Sequence, residues 1–370
     1  MKHCNELAYL RQLCCLGLGR EIVMPEFLKA VRAVIPSNNN FYAGTNENGE
    51  PNYYLVAMPV PNYLETAVDV LPKFFTPERR SVVYQQFNQY PAITRHLLLD
   101  KQFFQTDFYN LMWQPCDQYH FILTPVFVNK SIAGLFFLFR PLADQSFSVS
   151  EQKLCIQLLP YIAHALQEPK YIDTDYVSSG QAGLMIADKR GTIVHSSPSA
   201  GKLLARAALQ ANSNGGNPYK HSLLPPPLIK LCRNLGKLFE GEDAPPPALT
   251  HTNSAGRFIF RVYWLDHLNN NPSGLMGVTI EYQEPLTLKI TRNLQSQPLS
   301  ATQKEVTLLL AKGYSNEMIG QQLYIKPTTV KDHISKIYTK LDISHRKELL
   351  PRLVSEPNNG NSFKANAQHH

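Results

Sequence analysis

Cysteine is scarce in this 370-residue chain: Cys4, Cys14, Cys15, Cys116, Cys155 and Cys232 include no C-x-x-C pair and no clustered histidine partner. That pattern excludes a zinc ribbon and a disulfide framework, and reads as buried or free thiols in a reducing compartment. A redox sensor built on adjacent Cys14 and Cys15 is the minor alternative. Long apolar runs are missing too. The N-terminal stretch is broken by Glu6, Arg11, Arg20 and Glu21, and residues 132–139 are too few to cross a bilayer, so no membrane segment and a cytoplasmic location are expected. No P-loop, G-x-G-x-x-G, G-x-S-x-G or H-E-x-x-H occurs, and no metal-ligand spacing. His96, His120, His164 and His195 have no partner nearby in sequence and read as structural or surface residues. The paired acids and lysine of a phosphoacceptor domain are also missing. The expectation is a non-enzyme with no catalytic residues, metal or cofactor.

Charge is present but unevenly placed. The chain carries 36 Lys and Arg against 29 Asp and Glu, a net +7; residues 286–370 alone hold 12 against 6, so nearly all the excess lies there. A positive field at one end fits a polyanionic partner bound by that end.

The same end carries the strongest pattern. Leu299-Ser-Ala-Thr-Gln-Lys-Glu-Val306 leads through Gly313-Tyr-Ser-Asn-Glu-Met-Ile-Gly320 into Thr328-Thr-Val-Lys-Asp-His-Ile-Ser335. In the last segment Val330, Ile334, Ile337 and Leu341 recur at helical spacing and form one apolar stripe. Thr328, Asp332, Ser335 and Thr339 lie opposite, where short polar side chains meet base edges. Lys331, Lys336 and Lys340, with Thr329, lie on the flanks, where they meet phosphates. Ser315 caps a supporting helix through Ile319 to Leu323, with Gly320 at a close crossing, Ile325 completing the docked core, and Pro327 in the first turn of the next helix. Ser300 and Gln303 have capping-box spacing, opening a helix that turns Val306, Leu309 and Leu310 inward; a fourth helix follows near His345 and ends about Pro351. The pattern is a helix-turn-helix.

These residues resemble the LuxR/GerE family of bacterial transcription regulators. The matches include Leu299, Glu305, Val306, Gly313, Ser315, Asn316, Ile319, Leu323, Ile325, Thr329, Val330, Lys331, His333, Ile337, Lys340 and Leu341. The resemblance implies a four-helix domain that binds double-stranded DNA as a homodimer and acts with RNA polymerase. Five positions depart from the family pattern. Thr302 and Gln303 replace an Arg and a Glu, removing an ion pair but keeping the cap. Tyr324 replaces the turn glycine, Lys326 replaces the serine cap, and Asp332 leaves the base preference open. A sigma-factor helix-turn-helix is disfavoured by the large region upstream. The alternative from another class is a sensor or interaction protein whose helix-turn-helix is vestigial.

Upstream, two α+β modules are expected. Residues 119–128 and 131–140 read as an antiparallel hairpin through Asn129 and Lys130, and Ser148 to Glu151 opens a helix carrying Leu154, Leu158, Leu159, Ile162 and Leu166, with Pro160 inside. Helices are expected at 7–16, 25–35 and from Thr76, and a strand near 53–58. With Arg140-Pro and Leu159-Pro, this order resembles the GAF-like region of some LuxR-type regulators. In the second module, residues 183–187 and 192–195 flank the turn Asp188-Lys-Arg-Gly191, a helix covers 200–209, and residues 257–265 pair with 277–282. That order resembles a degenerate PAS domain. Residues 211–218 and 241–252 read as exposed loops. Phe103, Phe104, Phe108, Tyr109 and Trp113 form either plain core or an apolar ligand pocket. The Trp, Tyr and Asp arrangement of acyl-homoserine-lactone receptors has no match here.

The expected organisation is multidomain: a GAF-like domain at 1–170, a PAS-like domain at 176–285, a linker at 286–298, an all-α helix-turn-helix domain at 299–355 and a disordered tail at 356–370. The expected function is a sequence-specific regulator sensing an unknown effector.

Overall fold

The computed structural model describes residues 4–46, 48–57, 70, 73–99, 102–167, 175–207, 223–239, 242–265 and 274–354. The chain divides into two compact units, residues 1–284 and 285–370. The expected loop at 211–218 and tail at 356–370 lie outside the described residues.

The first unit is built on two antiparallel five-stranded sheets. One sheet contains β1 (Asn38–Thr45), β2 (Pro51–Val56), β3 (Ile93–Thr94), β4 (His120–Val128) and β5 (Ser131–Arg140), in the order β2-β1-β5-β4-β3. The β4–β5 hairpin turns where expected. Asn129 and Lys130 both have positive φ, 51° and 67°, the backbone a two-residue turn needs to match strand twist. Register pairs Phe121 with Phe139 and Leu123 with Phe137, so these four share one face, and Ile122, Thr124, Phe136 and Leu138 share the other. Both faces are buried, which is why the strands read as unbroken apolar runs.

The Phe136 face is covered by α2 (Arg20–Ala30) and α5 (Val149–Ala165), with α1 (Cys4–Cys14) packed against these two helices; Phe27 of α2 meets Phe136 edge-on with centroids 6.0 Å apart. Gly134 on this face is obligatory, because a Cβ there would sit 2.3 Å from the Tyr42 hydroxyl oxygen. The capping box of α5 forms as expected, and Glu151 also receives Arg140 from the end of β5. The Phe137 face is covered by α3 (Pro77–Phe87), capped by Thr76, by α4 (Arg95–Leu98) and by the short helical segments Phe103–Gln105, Tyr109–Trp113 and Gln114–Cys116, of which the middle one is a wide π-turn. Its core is aromatic: Phe74 stacks on Phe108 at 4.1 Å, Phe41 on Phe137 at 4.5 Å, and Trp113 meets Phe139 at 5.1 Å.

The second sheet holds β6 (Tyr176–Asp188), β7 (Ile193–Ser196), β8 (Ala248–Asn253), β9 (Gly256–Leu265) and β10 (Leu275–Pro285), in the order β7-β6-β10-β9-β8. The expected pairing of residues 257–265 with 277–282 is found, Tyr282 opposite Phe258 and Gly277 opposite Tyr263. Asp188 makes the β6–β7 turn, its carboxylate accepting the backbone N–H groups of Arg190 and Thr192 at 2.8 Å each. α6 (Pro198–Ala207) and α7 (Pro226–Phe239) bury Leu203, Leu228, Leu231, Cys232 and Leu235 against Phe258, Phe260, Val262, Val278 and Ile280. Helix α7 was not anticipated, although Leu228, Leu231, Cys232 and Leu235 follow helical spacing. The reading of 241–252 as a loop needs correction: residues 248–253 form β8, a half-exposed edge strand paired along β9. Thr, His and Asn on an exposed edge carry no apolar alternation by which to recognise a strand.

The second unit is helical: α8 (Leu286–Asn293), α9 (Ala301–Ala311), α10 (Asn316–Leu323), α11 (Pro327–Leu341) and α12 (Arg346–Val354). Residues 286–298, expected as a linker, are mostly helix. Leu288, Ile290 and Leu294 are buried, and the Asn293 side chain donates to the carbonyl of Leu353 at 2.7 Å. Lys304 of α9 reaches the backbone and side-chain oxygens of Gln295, both at 3.4 Å. The segment is thus part of the helical unit. A stretch of alternating Leu, Thr, Ile and Arg looked like a spacer only because its partner, α12, lies some 60 residues away.

Candidate nucleic-acid interface

The helix-turn-helix is assembled from local chemistry. Ser300 accepts the Gln303 backbone N–H at 3.3 Å while the Gln303 side chain accepts that of Ser300 at 3.0 Å, completing the capping box that starts α9. Ser315 does the same work for α10, accepting from Met318 at 3.3 Å. The first donor to Glu317 is its own backbone N–H, then the Ser315 hydroxyl, and together they hold its carboxyl below the usual range; Lys331 adds a smaller pull.

The turn between α10 and α11 is made by Tyr324 in left-handed backbone, φ 54°, with its side chain 96 % exposed. Ile325 then donates to the Gly320 carbonyl at 2.9 Å, and a Cβ on Gly320 would stand 2.8 Å from the Ile325 oxygen. Gly320 is therefore required by the turn folding back on α10. Pro327 occupies the first turn of α11, and Lys326 precedes it without a side-chain cap, as its side chain has no acceptor to offer.

Helix α11 separates its faces as its spacing predicts. Val330 and Ile337 are fully buried and Leu341 nearly so, beside Ile319 of α10. Leu323, Ile325 and Ile334, expected in the same core, are only partly buried and form its margin. Thr328, Asp332 and Ser335 are exposed in one line, Lys331 and Lys336 are exposed beside them, and Thr329 is partly covered. Lys340 is exposed as well, but its ammonium donates to the Gln303 side chain at 2.9 Å. That hydrogen bond stands where a Glu would make an ion pair, and it ties the end of α11 to the start of α9. Lys340 thus has a partner inside the domain.

Two residues outside the expected set shape this surface. Arg346, opening α12, donates to the carbonyls of Leu310 and Tyr314, both at 2.9 Å, closing the C-terminal end of α9. Asn293 fastens α8 to α12. Neither was legible, because each bond joins residues more than 30 positions apart and has no local spacing to betray it.

Residues 297–352 match the family described as bacterial regulatory proteins, luxR family. The C-terminal unit carries a LuxR-family helix-turn-helix domain. Over 69 residues the chain is 38 % identical to the transcriptional regulatory protein DegU of Brevibacillus brevis, covering 19 % of this chain and 25 % of that protein. Over 57 residues it is 40 % identical to the HTH-type transcriptional regulator MalT of Vibrio campbellii, covering 15 % of this chain and 6 % of that one. The chain therefore spans a quarter or less of these curated relatives. A solved Vibrio cholera VqmA–ligand–DNA complex aligns over 47 % of this chain and 83 % of its own at 16 % identity, but with a TM-score of 0.20 it carries no argument here. Among the described residues no helix is long and apolar enough to cross a membrane.

Proposed function

We propose that this protein is a sequence-specific transcription regulator of LuxR type, acting in the cytoplasm as a homodimer. Two copies of α11 enter successive major grooves of an imperfect palindrome, Thr328, Asp332 and Ser335 facing base edges and Lys331, Lys336 and Thr329 holding phosphates. Lys340 reaches phosphate only by leaving Gln303, so its main part is to brace the reading helix. The observation that carries the proposal is the exposed line Thr328–Asp332–Ser335, backed by buried Val330, Ile337 and Leu341, within a LuxR-family domain. Asp332 favours cytosine N4 among base-edge donors and disfavours close phosphates.

The two sheets of the first unit support a GAF-like and a PAS-like sensory reading by their order. Counting strands from the start of each sheet, both run 2-1-5-4-3. RNA polymerase is the machinery such a regulator addresses. The test is selection of genomic fragments by the full chain beside residues 285–370, at two salt concentrations. One palindromic motif enriched by both is the expected result, with affinity falling steeply as salt rises. Failure of both to enrich any motif overturns the proposal and leaves the helix-turn-helix as a surface for capturing a protein partner.

A further inference from the structure

A cleft of about 860 Å³ in the first unit runs from the Phe137 face of the first sheet, past edge strand β2, to α2, α3 and α6. Its buried walls are apolar: Phe103, Phe108, Trp113 and Phe137 line it and are each 5 % exposed or less. Its charged walls are not buried. Among the described lining residues six are basic, Lys29, Arg32, Arg79, Arg80, Lys202 and Arg206, and two are acidic, Glu21 and Glu26; all eight are exposed or half-buried. The volume lies within the range of small-molecule sites. An excess of one charge sign over apolar walls focuses the field of a cleft, here on an anion.

Most of these charges are already engaged. Glu21 pairs with Arg20 at 3.1 Å, Glu26 with Lys29 at 3.2 Å, and Arg80 with Glu50 at 2.9 Å. Arg206 donates to the Tyr282 hydroxyl at 2.8 Å and Arg32 to the Ser37 carbonyl at 2.9 Å. Two basic groups are left. Lys202, half-buried on α6, makes no hydrogen bond or ion pair with any described residue. Arg79, exposed on α3, has no carboxylate partner among the described residues, and its side chain donates only to the Phe74 carbonyl, at 3.5 Å.

Arg79 is nevertheless held in place. Its guanidinium lies 4.4 Å over the Phe74 ring, and Phe74 stacks on Phe108 at 4.1 Å, so the charged rim leads directly into the aromatic interior. An arginine braced on an aromatic ring keeps its planar fork of donors ready for a carboxylate at a reduced ordering cost.

We infer that this cleft binds an amphipathic organic anion, its carboxylate held by Arg79, its apolar body lying along Phe74, Phe103 and Phe108, and Lys202 adding to the attraction. The inference deepens the sensory reading of the first unit by naming the class of effector; it rests on that reading for the ligand's role and does not depend on DNA binding.

The test is equilibrium dialysis of the full chain at pH 7 against 2-naphthoate and 2-naphthamide, matched in shape but differing in charge. The expected result is saturable binding of 2-naphthoate, with the amide bound about tenfold more weakly, as loss of one charge-assisted hydrogen bond implies. Raising the salt concentration weakens the carboxylate and leaves the amide unchanged. The double variant Arg79→Gln, Lys202→Gln brings the two affinities within twofold while the amide still binds. The probe ratio and its salt dependence come from the unmutated chain, so the experiment decides even if the variant fails to fold. Absence of saturable binding by both probes, affinities within twofold of each other in the unmutated chain, or an unchanged ratio in the folded double variant overturns the inference. No DNA enters the dialysis, so its failure leaves the helix-turn-helix reading standing, and failed DNA selection leaves this one standing.

Discussion

At the scale of single residues, the domain carries one visible compromise, Tyr324. A side chain in left-handed backbone costs roughly 1 kcal/mol relative to glycine, and the exposed ring recovers little of that by packing. Tyr324→Gly is therefore expected to stabilise residues 285–370 by about 1 kcal/mol, read as a higher urea midpoint at unchanged slope; a lower midpoint shows that the ring makes contacts worth more than the strain. Lys331 has no such structural duty, since it is exposed on the flank of α11. Lys331→Glu is expected to weaken binding to all DNA sequences alike and to reduce the salt slope by about one or more. An unchanged slope removes Lys331 from the interface. Both residues were legible from position in the pattern. The hydrogen bond that occupies Lys340 was not, because only folding brings α11 back to α9.

At the scale of elements, caps and anchors define where each helix begins. Glu151 closes the capping box of α5 and also meets Arg140 of β5, joining strand to helix. Burial raises its carboxyl, but the Arg140 hydrogen bond and those of the Ser148 backbone and hydroxyl outweigh it and hold it below the usual carboxylate range. A folded-state value below the unfolded one contributes stability that is present above the unfolded value of about 4.3 and lost as pH falls through the folded value. Glu151→Gln is expected to destabilise the chain at pH 7 and to narrow the gap to the parent as pH drops below about 4. A gap that stays constant with pH refutes the assignment. Helix α8 makes a second case. Deleting residues 285–298 from the C-terminal fragment removes the Asn293 and Gln295 anchors. Each lost kcal/mol lowers the melting temperature of a domain this size by about 4–8 °C, so a drop of at least that much is expected. Equal melting temperatures would return the segment to a linker.

At the scale of the whole molecule, the repeated 2-1-5-4-3 strand order is the organising fact of the first unit. The same order is realised with different chemistry. The first sheet is buried on both faces beneath aromatic and aliphatic layers, and the second buries one face against two amphipathic helices while on the other Arg261 is exposed and Thr279 half-buried. The proposed dimer makes a geometric prediction. With half-site centres one helical turn apart, roughly 10 base pairs, inserting about 5 base pairs between them turns the second site to the opposite side of the duplex. Full-chain binding in a gel-shift titration is expected to fall to the level of a single half-site. Undiminished affinity argues for two independent monomers.

The C-terminal domain was readable almost completely from the sequence, since caps, turn and apolar stripe are local features repeated over a few residues. Ser300, Ser315, Pro327 and the Val330–Leu341 stripe act within one or two turns of helix, and spacing alone expresses them. The β4–β5 hairpin was legible for the same reason. What only the tertiary structure decided is everything that depends on distant partners. It turned the expected spacer at 286–298 into a packed helix, paired the polar edge strand β8, engaged Lys340 with Gln303, and set Gln118 against Asn39 with one buried oxygen unpaired. These arrangements rest on residues brought together by chain closure, whose energies local spacing does not encode.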